Sequence, residues 1–140
     1  MNRTVKLGLG IVVALAVALS AAWLWGSSGK RDLQRALDAA ELRNDLLDAR
    51  GAALSARVDL YIVNFGDASR DFEAARTALR RAESRLKTLG RDEDVKRVGV
   101  ALGRIDEAQQ LAGKLDQTAN TRAAEALKPV DEILAAIAPR

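Results

Sequence analysis

Three groups of side chains have types and spacings that could do chemistry. Asp92-Glu93-Asp94 is a run of three carboxylates, the kind of cluster that can hold a divalent cation or share a proton. Arg70, Arg76, Arg80, Arg81, Arg85, Lys87 and Arg91 form a basic series over residues 67–91, net +3 against Asp67, Asp71, Glu73 and Glu83. Such a series can hold anionic headgroups or an acidic polymer. Tyr61, Phe65 and Phe72 are the aromatics that follow residue 29, and could line a distal pocket or docking surface.

Each group also has a simpler explanation. Acidic residues at the start of a helix complement its positive end. Residues 92–140 are net −2, so the basic series can face an acidic neighbour within one fold. The three aromatics share one helical seam and can close a small core. Cysteine and histidine are absent, which excludes disulfides, thiolate chemistry, Cys/His zinc sites and the commonest general base. No serine–base pair, phosphate-cradling glycine loop or calcium-loop spacing occurs. The expectation is therefore no enzyme, no catalytic residue, no cofactor and no metal. The candidate partner surface is Tyr61, Phe65, Phe72, Arg76, Arg80 and Arg81. No aromatics interleave with the arginines to stack bases, so nucleic acid is not an expected partner.

The elements that would position these groups fall into two regions. Arg3 and Lys6 are the charged side chains before Gly29, and all 19 acidic residues follow it. Leu7–Trp25 carries no charge, and at about 1.5 Å per residue is roughly 28 Å long as a helix, near the hydrocarbon thickness of a bilayer. Trp23 and Trp25 stand at its far end, and Gly26-Ser27-Ser28-Gly29 loosens the exit. A cleaved secretory signal is the alternative, with Ala18-Leu19-Ser20 or Ser20-Ala21-Ala22 as cleavage site. The apolar run continues past both, which favours an uncleaved anchor. Arg3 and Lys6 hold the amino end in the cytoplasm, so the rest is expected outside a bacterial-type cytoplasmic membrane, in a periplasm where one exists.

Residues 30–140 read as an all-α, up-and-down bundle of three long helices and a short fourth. Leu33, Leu37, Ala40, Asn44, Leu47, Gly51, Leu54, Val58, Tyr61 and Phe65 alternate at spacings of four and three, as do Ala68, Phe72, Ala75, Leu79, Ala82, Leu86 and Leu89. This is the pattern of a helix that packs on helices. Leu46, Ala53, Leu60 and Val63 widen the first helix's apolar face, so it has more than one neighbour. Asn64-Phe65-Gly66-Asp67 marks a hairpin tip at residues 64–67, with Gly66 left-handed and Asp67 opening the second helix. The unbroken phase would also allow one continuous helix with its seam offered to a second chain. The stop-then-start chemistry favours the hairpin. Helix three covers residues 93–117 with Asp92 as its cap. It turns Val95, Val98, Leu102, Ile105, Ala108, Ala112 and Leu115 inward. Thr118, Asn120 and Thr121 mark a turn, with a helix running through to Leu127 as the alternative, and Pro129 begins a short final helix burying Val130, Ile133, Leu134 and Ile137.

Phe65, Ala68, Phe72 and Ala75 resemble the second half of a tetratricopeptide unit, with an echo at Ile105, Ala108, Ala112 and Leu115. Ala52–Ser55 lacks that family's large-residue pattern, and the echo falls 40 residues on, against a family period of 34. The resemblance implies a helical-hairpin interaction module and no particular binding residues. The plan of an anchor feeding a long first helix also resembles the helical-bundle ectodomains of bacterial transmembrane sensors. The sequence carries neither a second apolar span nor a signalling domain, so that likeness covers anchor and bundle alone. Together these features lead to the expectation of a single-pass, membrane-anchored interaction or scaffold subunit that works through a protein partner or self-association. A ligand-sensing receptor module is the alternative.

Overall fold

A computed structural model describes residues 3–138, with side chains from Gly29 to Ala138. It contains four α-helices: α1 (Arg3–Tyr61), α2 (Phe65–Thr88), α3 (Asp92–Gly113) and α4 (Ala119–Ala136). No strand occurs among the described residues. The Leu7–Trp25 segment expected to span a membrane lies outside the residues described with side chains. Among those described, no helix is long and apolar enough to cross a membrane.

The chain divides into two units, Met1–Leu37 and Asp38–Arg140. In the first, the side chains from Lys30 to Leu37 are all exposed, and Arg35 lies 3.7 Å from Asp32 one turn away. The second holds the rest of α1 and all of α2–α4.

Ion pairs and hydrogen bonds fix the order of this bundle. Arg81 and Arg85 of α2 reach Asp45 of α1, and Arg76 of α2 reaches Asp106 of α3. Arg97 and Arg104 of α3 reach Glu132 and Glu125 of α4, and Arg50 of α1 reaches Asp131 of α4. At the α1–α2, α3–α4 and α4–α1 junctions, the last including Arg57 of α1 on Asn120 of α4, the residue number rises on one helix as it falls on its neighbour. The short turn at residues 89–91 folds α3 back along α2. All four adjacent pairs are therefore antiparallel, and the helices run up-down-up-down around a square.

Alanine supplies thirteen of the twenty-four buried apolar residues among those described. Small side chains let helix backbones approach closely, so the core is thin. Phe72, Leu42, Leu46, Leu60, Leu79, Leu86, Ile105 and Ile133 provide its bulk. On α2 the buried stripe is the expected one as far as Leu86, namely Ala68, Phe72, Ala75, Leu79, Ala82 and Leu86, joined by Ala78, while Leu89, expected to end it, is exposed just past the helix. On α1 it is not. Leu42, Leu46, Ala49, Ala53, Ala56 and Leu60 face the core, while Asn44, Leu47, Gly51, Val58 and Tyr61 are exposed. The inward set also alternates by four and three, so spacing alone fits both faces.

The three turns share one hydrogen-bond scheme. After α1, Val63 N–H donates to the Leu60 carbonyl (3.1 Å) and Asn64 N–H to the Asp59 carbonyl (2.7 Å). Gly90 and Arg91 bond Lys87 and Leu86 in the same way, as Leu115 and Asp116 bond Ala112 and Leu111. This closure needs one left-handed residue. The residues that take it are Val63 (φ 64°), Gly90 (φ 67°) and Leu115 (φ 58°).

Several expected boundaries therefore move. Gly66 lies inside α2, and the tip is Ile62–Asn64. Asn64 caps α2, its side-chain oxygen accepting from Asp67 N–H (3.4 Å) while its amide donates to the Asp67 carboxylate. Arg91 precedes α3, and Asp92 is already its first residue. The fourth helix is not short. It starts at Ala119, once Asp116 has accepted from the backbone N–H (2.9 Å) and hydroxyl (2.8 Å) of Thr118. It passes through Pro129, which has no N–H to give the Glu125 carbonyl one turn back. Burial of Ala119, Ala123, Ala126 and Leu127 carries the helix across that gap. Leu115, expected inside, is exposed at the turn.

Candidate interaction surface

The structure does not bring the sequence-derived surface residues together. Phe72 is fully buried in the core, and Phe65 is half-buried beside it at the start of α2. Tyr61 is 82% exposed at the end of α1. Arg76 turns toward α3, where its Nε donates to Asp106 (2.8 Å) and its Nη2 to Gln109 (2.6 Å), with Glu73 on its own helix also accepting. Arg81 turns the other way, toward α1. Arg80 is exposed between them. The basic series is thus shared out among neighbouring helices.

Its densest point is a carboxylate clamp on the α1–α2 junction. Asp45 is buried, and its two oxygens accept from Arg81 Nε and Arg85 Nε, each at 2.7 Å. Arg85 also donates to Glu41, and Arg81 lies 3.4 Å from Asp48. The hydrogen bond to Asp45 raises the Arg85 guanidinium above the ordinary arginine range, so this cation persists at any accessible pH. The carboxylate gives up hydration on burial and receives two charge-assisted hydrogen bonds in its place. Nothing in the sequence pattern singled out Asp45. A polar residue beside an apolar stripe reads as surface until the opposing arginines are seen.

A cleft of about 350 Å³ adjoins the clamp, lined by Asp38, Arg81, Ser84, Arg85, Thr88 and Leu89. Both guanidiniums already face carboxylates, and the Thr88 hydroxyl donates to the Ser84 carbonyl (3.1 Å). The acidic run is likewise occupied. Asp94 is buried between Arg91 Nε (2.7 Å) and Arg97 Nη1 (2.8 Å), and the Lys96 ammonium draws Glu93 below the ordinary glutamate range. Among the described residues no group of three acidic side chains is arranged to hold a metal ion, and no buried side-chain polar atom lacks a partner.

The bundle also leaves large apolar side chains exposed. Tyr61, Ile62, Val63 and Leu115 are exposed at the end where the α1–α2 and α3–α4 turns meet. Leu47 and Val58 are exposed along the outside of α1. Of these, the sequence reading chose only Tyr61 as a surface residue. The signal that could have found Val63 and Leu115 is the lack of glycine or asparagine where a left-handed closure is needed. No protein-family model, curated protein or solved structure matches this chain.

Proposed function

We propose that this chain is a single-pass, membrane-anchored, extracytoplasmic helical bundle acting as a non-catalytic interaction or scaffold subunit. The observation that carries the reading is the state of the distal turns. Val63 and Leu115 occupy left-handed backbone at 62% and 68% exposure, where glycine would cost less strain. A branched side chain there contributes nothing to the core, and its display to a partner accounts for its presence. Anchoring rests on the apolar Leu7–Trp25 segment of the sequence. The test is purification of the full chain from detergent-solubilised membranes, with and without Val63→Gly and Leu115→Gly, followed by identification of what accompanies it. Loss of a specific companion in the double variant is expected. A full set of companions with both side chains removed would count against the distal end as the docking site. Recovery of the chain in a soluble fraction after carbonate washing would count against the anchor.

The receptor-module alternative draws its support from the cleft beside Asp45, where a small ligand with an apolar body could lie between α1 and α2. A ligand there would slow hydrogen exchange at Ser84–Leu89, and soaking the purified chain with a metabolite library reads that directly.

A further inference from the structure

Among the described residues the outer face of α1 is largely uncovered, yet it is patterned as if it had a neighbour. Asn44, Leu47, Gly51, Leu54, Val58 and Tyr61 keep a four-three alternation over the helix stretch that belongs to the bundle. Successive residues turn about 100° around a helix, which places Asn44, Gly51 and Val58 roughly 160–180° from the inward stripe. Leu47 and Val58 are 42% and 62% exposed, and Leu54 alone of the set leans against the core. One apolar stripe suffices for a corner helix of a four-helix bundle. The second stripe, with the 3.5-residue repeat of a supercoiled pair, has no work to do in the folded monomer.

We propose that this face pairs, parallel and in register, with the same face of a second copy of this chain. The choice of occupant rests on charge and on Asn44. In a two-stranded repeat with Asn44, Gly51 and Val58 as first core positions, Arg43 flanks the seam on one side and Asp48 on the other. A parallel pair sets Arg43 of each copy against Asp48 of its partner, giving two complementary contacts by symmetry. Arg43 has no ion-pair partner among the described residues, and Asp48 has only the 3.4 Å contact with Arg81. An antiparallel pair would instead set the edge formed by Arg43, Arg50 and Arg57 against itself. Asn44 is exposed, and an asparagine at this position of a seam is the best-attested device for fixing two strands in parallel register. At Gly51 an added Cβ would meet nothing within 4 Å, so a second backbone can come close there. The bundle already holds α1 helical, which removes the ordering cost that a free peptide of this length would meet on pairing. In the sequence, Leu33, Leu37 and Ala40 continue the same spacing upstream.

The proposal deepens the interaction reading above and rests on it only in treating the bundle as a contact module. The chain has no cysteine, so single introduced cysteines report position without background. The full chain would carry Asn44→Cys or Val58→Cys, with Ala74→Cys on the exposed side of α2 as control, and be oxidised in the membranes that hold it. Covalent dimer through each seam position alone is expected, with little through the control. Dimer at neither seam position, bonding only between Asn44→Cys of one copy and Val58→Cys of another, or equal dimer at the control would each overturn the parallel seam. Val58→Asp, at an exposed site, should leave helicity unchanged and lower the association constant about tenfold or more by setting two like charges in one layer. Arg43→Asp should lower the cysteine-linked yield, and Arg43→Asp with Asp48→Arg should restore it. An unchanged yield in the single variant would overturn the charge pairing. Dimerisation is read on this chain alone, so its failure leaves the companion-capture experiment standing, and the reverse holds too.

Discussion

Helices α1 and α2 carry nearly the same rhythm and meet different fates. On α2 every apolar residue of one four-three stripe goes into the core, and the opposite face is charged. On α1 two such stripes lie back to back, one sealed by the bundle and one left to solvent. Periodicity therefore shows that a helix has an apolar face, while the number of apolar faces shows how many neighbours it has. A helix with one stripe is finished inside its own chain, and a helix with two is not.

The sharpest way to break this contrast is to cut into each face and compare stability. Phe72→Ala, emptying the largest fully buried side chain, should cost about 3–5 kcal/mol and may be followed by urea melting of the helical signal. Val58→Thr on the outer face of α1 should stay within about 0.5 kcal/mol of the parent protein at concentrations too low for pairing. Equal costs would mean that the outer stripe is part of the fold after all.

An intermediate effect separates neighbouring arginines of α2. Arg81→Asp sets a new carboxylate against the buried Asp45, so a clear drop in Tm is expected. Arg80→Asp, on the exposed side, should leave Tm nearly unchanged. From sequence alone Arg81 reads as solvent-facing and the first substitution as harmless. Arg81 is exposed as expected, but its bond to the buried Asp45 makes the substitution costly.

A smaller effect of opposite sign is expected at the turns. Val63→Gly and Leu115→Gly relieve left-handed strain and should each raise stability by up to about 1 kcal/mol, while Gly90→Ala should lower it. The smallest effect is that of acid on the carboxylates bonded across turns and helix faces. Asp116 is held below its ordinary value of 3.8 first by the Thr118 backbone N–H, and Glu125 below 4.5 first by the Arg122 guanidinium. A carboxylate that binds its proton more weakly when folded than when unfolded supports the fold above its ordinary value. That support fades as pH falls through and below this range. Tm should be flat from neutrality down to the ordinary carboxylate range and decline beneath it, with the decline reduced in Glu125→Gln.

The all-α fold class and the buried stripe of α2 from Ala68 to Leu86 are legible in the sequence because they depend on local spacing. The inward face of α1 is not, because Leu42–Leu60 and Asn44–Tyr61 satisfy the same arithmetic and only the partners decide between them. The start of α4 is hidden by Pro129, which marks a helix entrance when read locally and is overridden by the buried residues before it. The hairpin tip is misplaced because Gly66 offers the expected left-handed residue and the chain uses Val63 instead. Of the six residues read as one surface, Phe72 is buried and Phe65 half-buried against the core, while Arg76 and Arg81 turn to different helices because their directions depend on charges 30 or more residues away.

The Asp45 clamp also limits how this molecule can move. Sliding α1 along α2 by one helical turn, about 5.4 Å, would carry Asp45 away from both guanidiniums and strand a buried anion. A push along the axis of α1 within the bundle is therefore passed to α2 as to a single stiff strut. Rotation or splaying, which can keep the clamp closed at one end while the distal turns part, remains the cheaper deformation.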